Sequence, residues 1–308
     1  MRSKNILYVF GIIFIVVCSQ YVYGAFNNDV ISPVAAAMGS AFTGVDKTSG
    51  VFYNPAITGV LASDSILKAD VMYENRYGID GYDYYSGAMV LTGVSVFKLF
   101  RFGVSGYYEN AETLLSEQNV KFSVGTTLMS AFKHVYISVG MSVGYYGLSF
   151  SGFQEDGNDS ALGDENYIDA DSGLYVVYDN IRIGIVSPNM LNSDLRNNKL
   201  PIRIGFVYDL SQYAAMISAD FEPVRDLNDY NRSWLKIGSF ELGKNIYPLF
   251  KLGIEKTVKN IFTIRVGLRD FMVTGGLGIA IKGFQLNYAF ISNHIGITHL
   301  IGVSIKRL

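Results

Sequence analysis

Side chains able to carry covalent or metal chemistry are few in this chain of 308 residues. There is one cysteine, Cys18, and there are three histidines, His134, His294 and His299. A zinc site wants Cys and His ligands clustered at short spacing, and neither type is available in that pattern. No Ser/His/Asp or Cys/His arrangement emerges. The GLGIAIKG run at 276–283 lacks the strand–loop–helix setting of a phosphate loop and reads as a strand with a tight Lys282-Gly283 turn. Residues 151–172 hold Glu155, Asp156, Asp159, Asp164, Glu165, Asp169 and Asp171 with no Lys or Arg. A calcium loop would need Gly where Ala161 stands and Glu where Tyr167 stands, so this run reads as a solvated outer loop. The chain is therefore expected to be no enzyme, with no cofactor and no metal. The balance of 25 Lys+Arg against 27 Asp+Glu, without a basic stripe, argues against nucleic acid as a partner.

The charges that remain are spaced along alternating segments, and those segments are the elements that must position them. Residues 1–24 come first, with Arg2 and Lys4 before an apolar stretch from Ile6 to Val17, and Val22 and Gly24 at −3 and −1 of a cleavage before Ala25. They read as a secretory signal peptide. Beyond them no apolar run of about eighteen residues offers a membrane helix. Yet 49% of the chain is hydrophobic and only 17% is charged, against roughly 25% in soluble proteins.

Period-two alternation accounts for this apolar content. In 261–269, Phe262, Ile264, Val266 and Leu268 share one face, and Thr263, Arg265, Gly267 and Arg269 share the other. In 134–146, Val135, Ile137, Val139, Met141, Val143 and Tyr145 oppose a face of Ser, Gly and Tyr. Segments 247–255 and 299–307 repeat the pattern. One face is almost purely apolar, and the other is small, glycine-rich and sparsely charged. Strands of about ten residues with an apolar outside and a polar inside suit a transmembrane β-barrel, with the 22 Tyr and 20 Phe as interfacial girdles. A soluble all-β domain is the alternative.

The predicted strands are 66–74, 84–97, 99–108, 119–131, 134–150, 171–179, 181–187, 200–209, 213–221, 247–255, 261–269, 273–282, 284–291 and 299–307. Segment 232–242 alternates poorly and is left out, which makes the count even, as bacterial barrels require. Long outer loops are expected at 75–83, 109–118, 151–170, 188–199 and 222–246, with short turns at the other end.

Three stretches carry more than periodicity. The first is SPVAAAMGSAFTGVDKTSGVFYNPAITGVL, with Ala35–Gly39, Ala41, Phe42, Tyr53 and the Asn54-Pro55-Ala56 element. The second is SPNMLNSDLRNNKLPIRIGFVYDL at 187–210, and the third is the closing 262–308 stretch, in which Asn287 stands where many relatives have Asp. Together they resemble the FadL and PorV/PorQ outer-membrane families. The resemblance implies an all-β, 14-stranded antiparallel transmembrane barrel at 65–308, with residues 25–64 folded into the lumen as an N-terminal hatch. It marks Met38, Gly39, Phe42, Asn54, Pro55 and Ala56 as hatch residues of a binding site; a simple Asn-Pro turn is the other reading of Asn54-Pro55. By alternation Arg101, Arg203, Arg265 and Arg269 face the lumen, with Lys121, Arg182, Lys251, Lys282, Lys306, Asp209, Asp220 and Glu255. These charges either attract an anionic head group or pair with one another and with the hatch.

The function implied by the resemblance is passage of long-chain fatty acids or other hydrophobic small molecules across the outer membrane of a diderm bacterium. The alternatives are a PorV-type accessory barrel that binds exported proteins or a secretion machine, and a structural surface barrel. The expected partners are outer-membrane lipid, a hydrophobic small-molecule ligand, the outer-membrane assembly machinery and, in the accessory reading, exported proteins.

Overall fold

A computed structural model describes residues 30–61, 67–77, 82–91, 100–111, 115–128, 135–150, 165–188, 190–191, 202–225, 246–269, 272–293 and 296–305. The proposed signal peptide, the excluded segment 232–242, Lys306 and most of the acidic run at 151–172 lie outside these residues.

Fourteen strands close into one antiparallel barrel, each paired with its neighbours in sequence and the last with the first. They are β1 (Leu67–Asn75), β2 (Tyr82–Leu91), β3 (Arg101–Ala111), β4 (Leu115–Leu128), β5 (Val135–Phe150), β6 (Glu165–Tyr178) and β7 (Ile181–Ser187), followed by β8 (Arg203–Leu210), β9 (Ala215–Arg225), β10 (Ile246–Val258), β11 (Phe262–Arg269), β12 (Met272–Ile281), β13 (Phe284–Ser292) and β14 (Ile297–Ile305). Closure leaves no edge strand, so every strand has a neighbour on both sides for its backbone groups. Val71 of β1 faces Val303 of β14, which sets the register of the seam.

The two faces sort as the alternation demands. Val71, Phe122, Met141, Ile254, Val266, Leu277 and Ile301 lie on the outer surface, each more than half exposed. Tyr73, Tyr85, Tyr108, Tyr145 and Phe250 ring one end of this band. Phe102, Tyr136, Tyr178, Tyr208, Phe262 and Phe284 ring the other. An apolar belt between aromatic girdles is what a bilayer requires of a barrel wall. We expect Val266→Arg, at mid-strand on the lipid face, to destabilise the barrel by roughly 2–4 kcal/mol. Urea unfolding from detergent or lipid measures this, and an unchanged midpoint would mean that Val266 does not face lipid.

The end with the second girdle carries tight turns. Asp179-Asn180 joins β6 to β7 and Lys282-Gly283 joins β12 to β13. Lys282 and Gly283 both have positive φ, 43° and 91°, the mirror-image turn whose twist matches that of the flanking strands.

Strands run further than expected at the other end. β3 and β4 pair through Ala111 and Leu115, so most of the predicted loop 109–118 is a hairpin. β6 begins at Glu165, so half a dozen residues assigned to loop 151–170 are strand. β9 continues to Arg225, past the predicted loop start at 222. The apolar half of the alternation fades there, but the polar half persists on the inner face. Pairing outlasts the membrane because outward side chains above the lipid need not be apolar.

Residues 30–61 lie inside the barrel. They form three short helices, α1 (Pro33–Ala37), α2 (Gly50–Tyr53) and α3 (Ile57–Val60). Pro33 starts α1, where a missing N–H costs nothing, and the Ser32 hydroxyl caps it by accepting from Ala35 N at 3.1 Å. Such short helices are not stable alone; the surrounding wall holds them.

Candidate functional site

The resemblance-marked residues are all in the buried part of this inner segment. Met38, Phe42, Asn54 and Ala56 have no exposed surface, and Gly39 and Pro55 are buried as well. Gly39 has φ of 62°, and a Cβ there would sit 2.4 Å from Leu268 O of β11, so only glycine fits. Phe42 packs against the Tyr53 ring with centroids 5.4 Å apart. Asn54 ties the segment to itself and to the wall. Its amide nitrogen donates to Thr43 O at 3.1 Å and to Leu174 O of β6 at 3.2 Å, while its Oδ1 accepts from Ala56 N at 3.0 Å. The Asn-Pro step is thus both a turn and an anchor.

The wall meets the segment on several sides. Asp220 of β9 accepts from Phe42 N, Thr43 N and Thr43 Oγ1 at 3.0, 2.9 and 2.6 Å, all with Oδ2. Asp70 of β1 accepts from Ser49 N at 2.8 Å. Thr274 of β12 donates to Ala37 O and accepts from Gly39 N, each at 3.1 Å. Ser138 of β5 donates to Ala56 O at 2.8 Å. Arg101 of β3 donates to Gly59 O and Leu61 O at 2.6 and 2.7 Å. Tyr84 of β2 donates to Val30 O at 2.7 Å. Small wall residues allow this approach. A Cβ on Gly140 of β5 would lie 2.4 Å from Pro55 O.

The lumen charges pair with one another and with the segment. Arg265 Nε donates to Glu255 at 2.7 Å and Nη1 to Asn287 Oδ1 at 3.1 Å, while Lys47 of the segment also binds Glu255. Arg182 bridges Asp46 of the segment, at 2.8 Å, and Asp209. Glu222 accepts from Arg203 at 3.3 Å and Lys251 at 3.1 Å. Lys121 binds Asp171 at 2.7 Å and lies 4.6 Å from the Phe52 ring centre. Arg76 contacts Glu74 and Glu109 at 2.8 and 2.5 Å. Arg269 is on the same inward face of β11 as Arg265, half-buried and opposite Lys251. Lys282 is the exception to the inward assignment, being exposed in its turn.

Several lumen acids escaped the sequence reading because they fell in predicted loops or, for Asp171, in the acidic run 151–172 that was read as solvated. Glu109, Glu117, Asp169, Asp171 and Glu222 are all buried inside. The signal was present: Glu117, Asn119 and Lys121, and Asp169 and Asp171, keep the two-residue spacing of the polar face.

The family described as type IX secretion system membrane protein PorP/SprF matches residues 47–295. The chain belongs to the PorP/SprF family. The motif resemblance pointed to FadL and PorV/PorQ, and FadL-type proteins enter as structural neighbours of this PorP/SprF chain. It is similar to the CymD monoaromatic hydrocarbon channel, with a TM-score of 0.54 at 14% identity, covering 92% of this chain and 99% of that one. The Pseudomonas putida toluene transporter TodX gives 0.53 at 11% identity, covering 89% and 98%. A Pseudomonas aeruginosa FadL homologue gives 0.51 at 10%, covering 89% and 97%. At such identities the likeness is one of fold, that of an outer-membrane β-barrel. No curated protein matches the chain by sequence.

Proposed function

We propose that this PorP/SprF barrel is an accessory component of type IX secretion in the outer membrane of a diderm bacterium, binding exported proteins or the secretion machine rather than conducting cargo through its own lumen. In this reading residues 1–24 are a cleaved signal peptide, residues 25–64 a hatch and residues 65–308 the barrel, inserted by the outer-membrane assembly machinery. The long connections face outward and the tight turns inward. The observation that carries it is the cross-linked interior. The inner segment is bound by hydrogen bonds or ion pairs to strands from β1 to β12, and the lumen carboxylates beside it are shared between cations. A hydrocarbon passing there would strip paired charges of their partners, which costs several kcal/mol.

Co-purification after cross-linking tests this reading. A secreted protein or a secretion-machine component recovered with the barrel supports it. A defined lipid recovered by mass spectrometry, with no protein partner, supports the second reading, passage of long-chain fatty acids or other hydrophobic molecules. The fold likeness to hydrocarbon channels favours that second reading.

Deleting residues 27–56 tests the hatch. We expect a folded barrel with raised conductance in planar bilayers. Unchanged conductance would mean that the segment does not close the lumen.

A further inference from the structure

Lys256 stands on the lipid face of β10. The exposed side chains of that strand run Phe250, Leu252, Ile254, Lys256 and Val258. Across the register Lys256 lies opposite Ala215 of β9 and Ile264 of β11. Phe262 of the girdle pairs one step further out, with Val258, so the lysine sits on the membrane side of the girdle. A charge at such a position is expensive unless its head reaches the interface and a partner there.

One partner belongs to the chain. Lys256 Nζ donates to Tyr213 O and lies 6.0 Å from the centre of the Tyr213 ring, which is 58% exposed. Thr257 N donates to Ala214 O at 2.9 Å, so the β8–β9 connection is pinned against β10 and keeps that carbonyl in place. An ammonium has three donors, and this contact uses one.

Two more cations stand at the same end. Lys259 is in the β10–β11 turn and Lys282 in the β12–β13 turn, and both are exposed. Ala280 N donates to Ile261 O at 2.8 Å, which sets the two turns side by side. Among the described residues of β9 to β13 the acids are Asp220, Glu222 and Glu255. The first two are buried in the lumen, and Glu255 binds Lys47 and Arg265 there. The outer surface of these strands at the tight-turn end therefore presents three cations and no carboxylate.

This arrangement fits a phosphodiester that carries both net negative charge and acyl chains. Its phosphate oxygens can accept from Lys256, Lys259 and Lys282, while its chains cover the exposed Ile264, Leu277 and Ile279. A soluble anion would meet the charges and leave that apolar surface uncovered. We propose that the β9–β13 face binds the headgroup of an anionic phospholipid in the leaflet at the tight-turn end. Lipid surrounds the whole wall; the charge preference belongs to this one place. The proposal is independent of the secretion reading.

The test uses the purified full-length barrel in a neutral detergent, with native mass spectrometry counting bound lipid. The probes are dioleoylphosphatidylglycerol and dioleoylphosphatidylcholine, which share their chains and differ in net charge. The anionic lipid is expected to bind about tenfold more tightly. Lys256→Gln is expected to weaken its binding about fivefold, with phosphatidylcholine unaffected and Lys256→Arg close to wild type. Replacing Lys256, Lys259 and Lys282 together by Gln is expected to remove the preference, while heat-modifiable migration on gels shows a folded barrel. Equal binding of the two lipids by the wild type, or a preference that survives the triple replacement, overturns the proposal. Displacement of the bound lipid by an equal concentration of glycerol 3-phosphate also overturns it, since the site would then hold a soluble anion.

Discussion

Asp220→Ala is expected to destabilise the folded barrel by roughly 3–6 kcal/mol and to loosen the inner segment. One carboxylate oxygen takes both the Phe42 and Thr43 backbone N–H groups and the Thr43 hydroxyl. All three donors are buried. Removing their acceptor leaves each to bear a desolvation penalty of about 1–3 kcal/mol. Asp220→Asn keeps an acceptor oxygen and the side-chain shape, so an intermediate loss is expected. Urea unfolding gives the stability, and limited proteolysis of the folded barrel reports on residues 42–43. If Asp220→Ala unfolds as the wild type does, the segment is not held by this carboxylate.

The second large effect belongs to Glu222, two residues further along the same inward face of β9. It is 2% exposed and is shared by Arg203 and Lys251. Taking one member from a buried ionic cluster costs about 3–5 kcal/mol, because the remaining charges keep their desolvation penalty. Glu222→Ala is expected to fall in that range. Replacing all three by apolar residues of similar volume is expected to cost much less. If the triple replacement is as damaging as Glu222→Ala, the cluster stabilises by its specific contacts. Lys251 lies directly opposite Asp220 in the β9–β10 register, so the two sites share a neighbour. The Asp220→Ala, Glu222→Ala double variant should therefore lose less than the sum of the two.

Much of the wall was legible from the chain alone. Strand faces follow from period two, because each residue's face is set by its immediate neighbours and by whether lipid or lumen receives it. Ile264 and Val266 point out and Arg265 points in for that reason. Strand ends were less legible. Glu109, Glu117 and Asp169 were placed in loops because hydrophobicity fades above the membrane while backbone pairing continues.

The sequence by itself determined the strand faces, the tight turn at Lys282-Gly283 and the unusual small-residue character of Ala35–Gly39, whereas the closed barrel decided the count of fourteen strands. The faces, the turn and the small-residue run are written in residues close to one another along the chain. Tertiary structure alone decided which charges meet. Phe42 and Asp220 are 178 residues apart, and Lys47 and Glu255 are 208 apart. Closing the barrel turns every inward residue towards a shared lumen, and each buried charge there must find a partner on another strand or on the inner segment. Alternation states that Arg182 and Glu255 face inward. Only the register and the path of residues 30–61 place Asp46 beside the one and Lys47 beside the other.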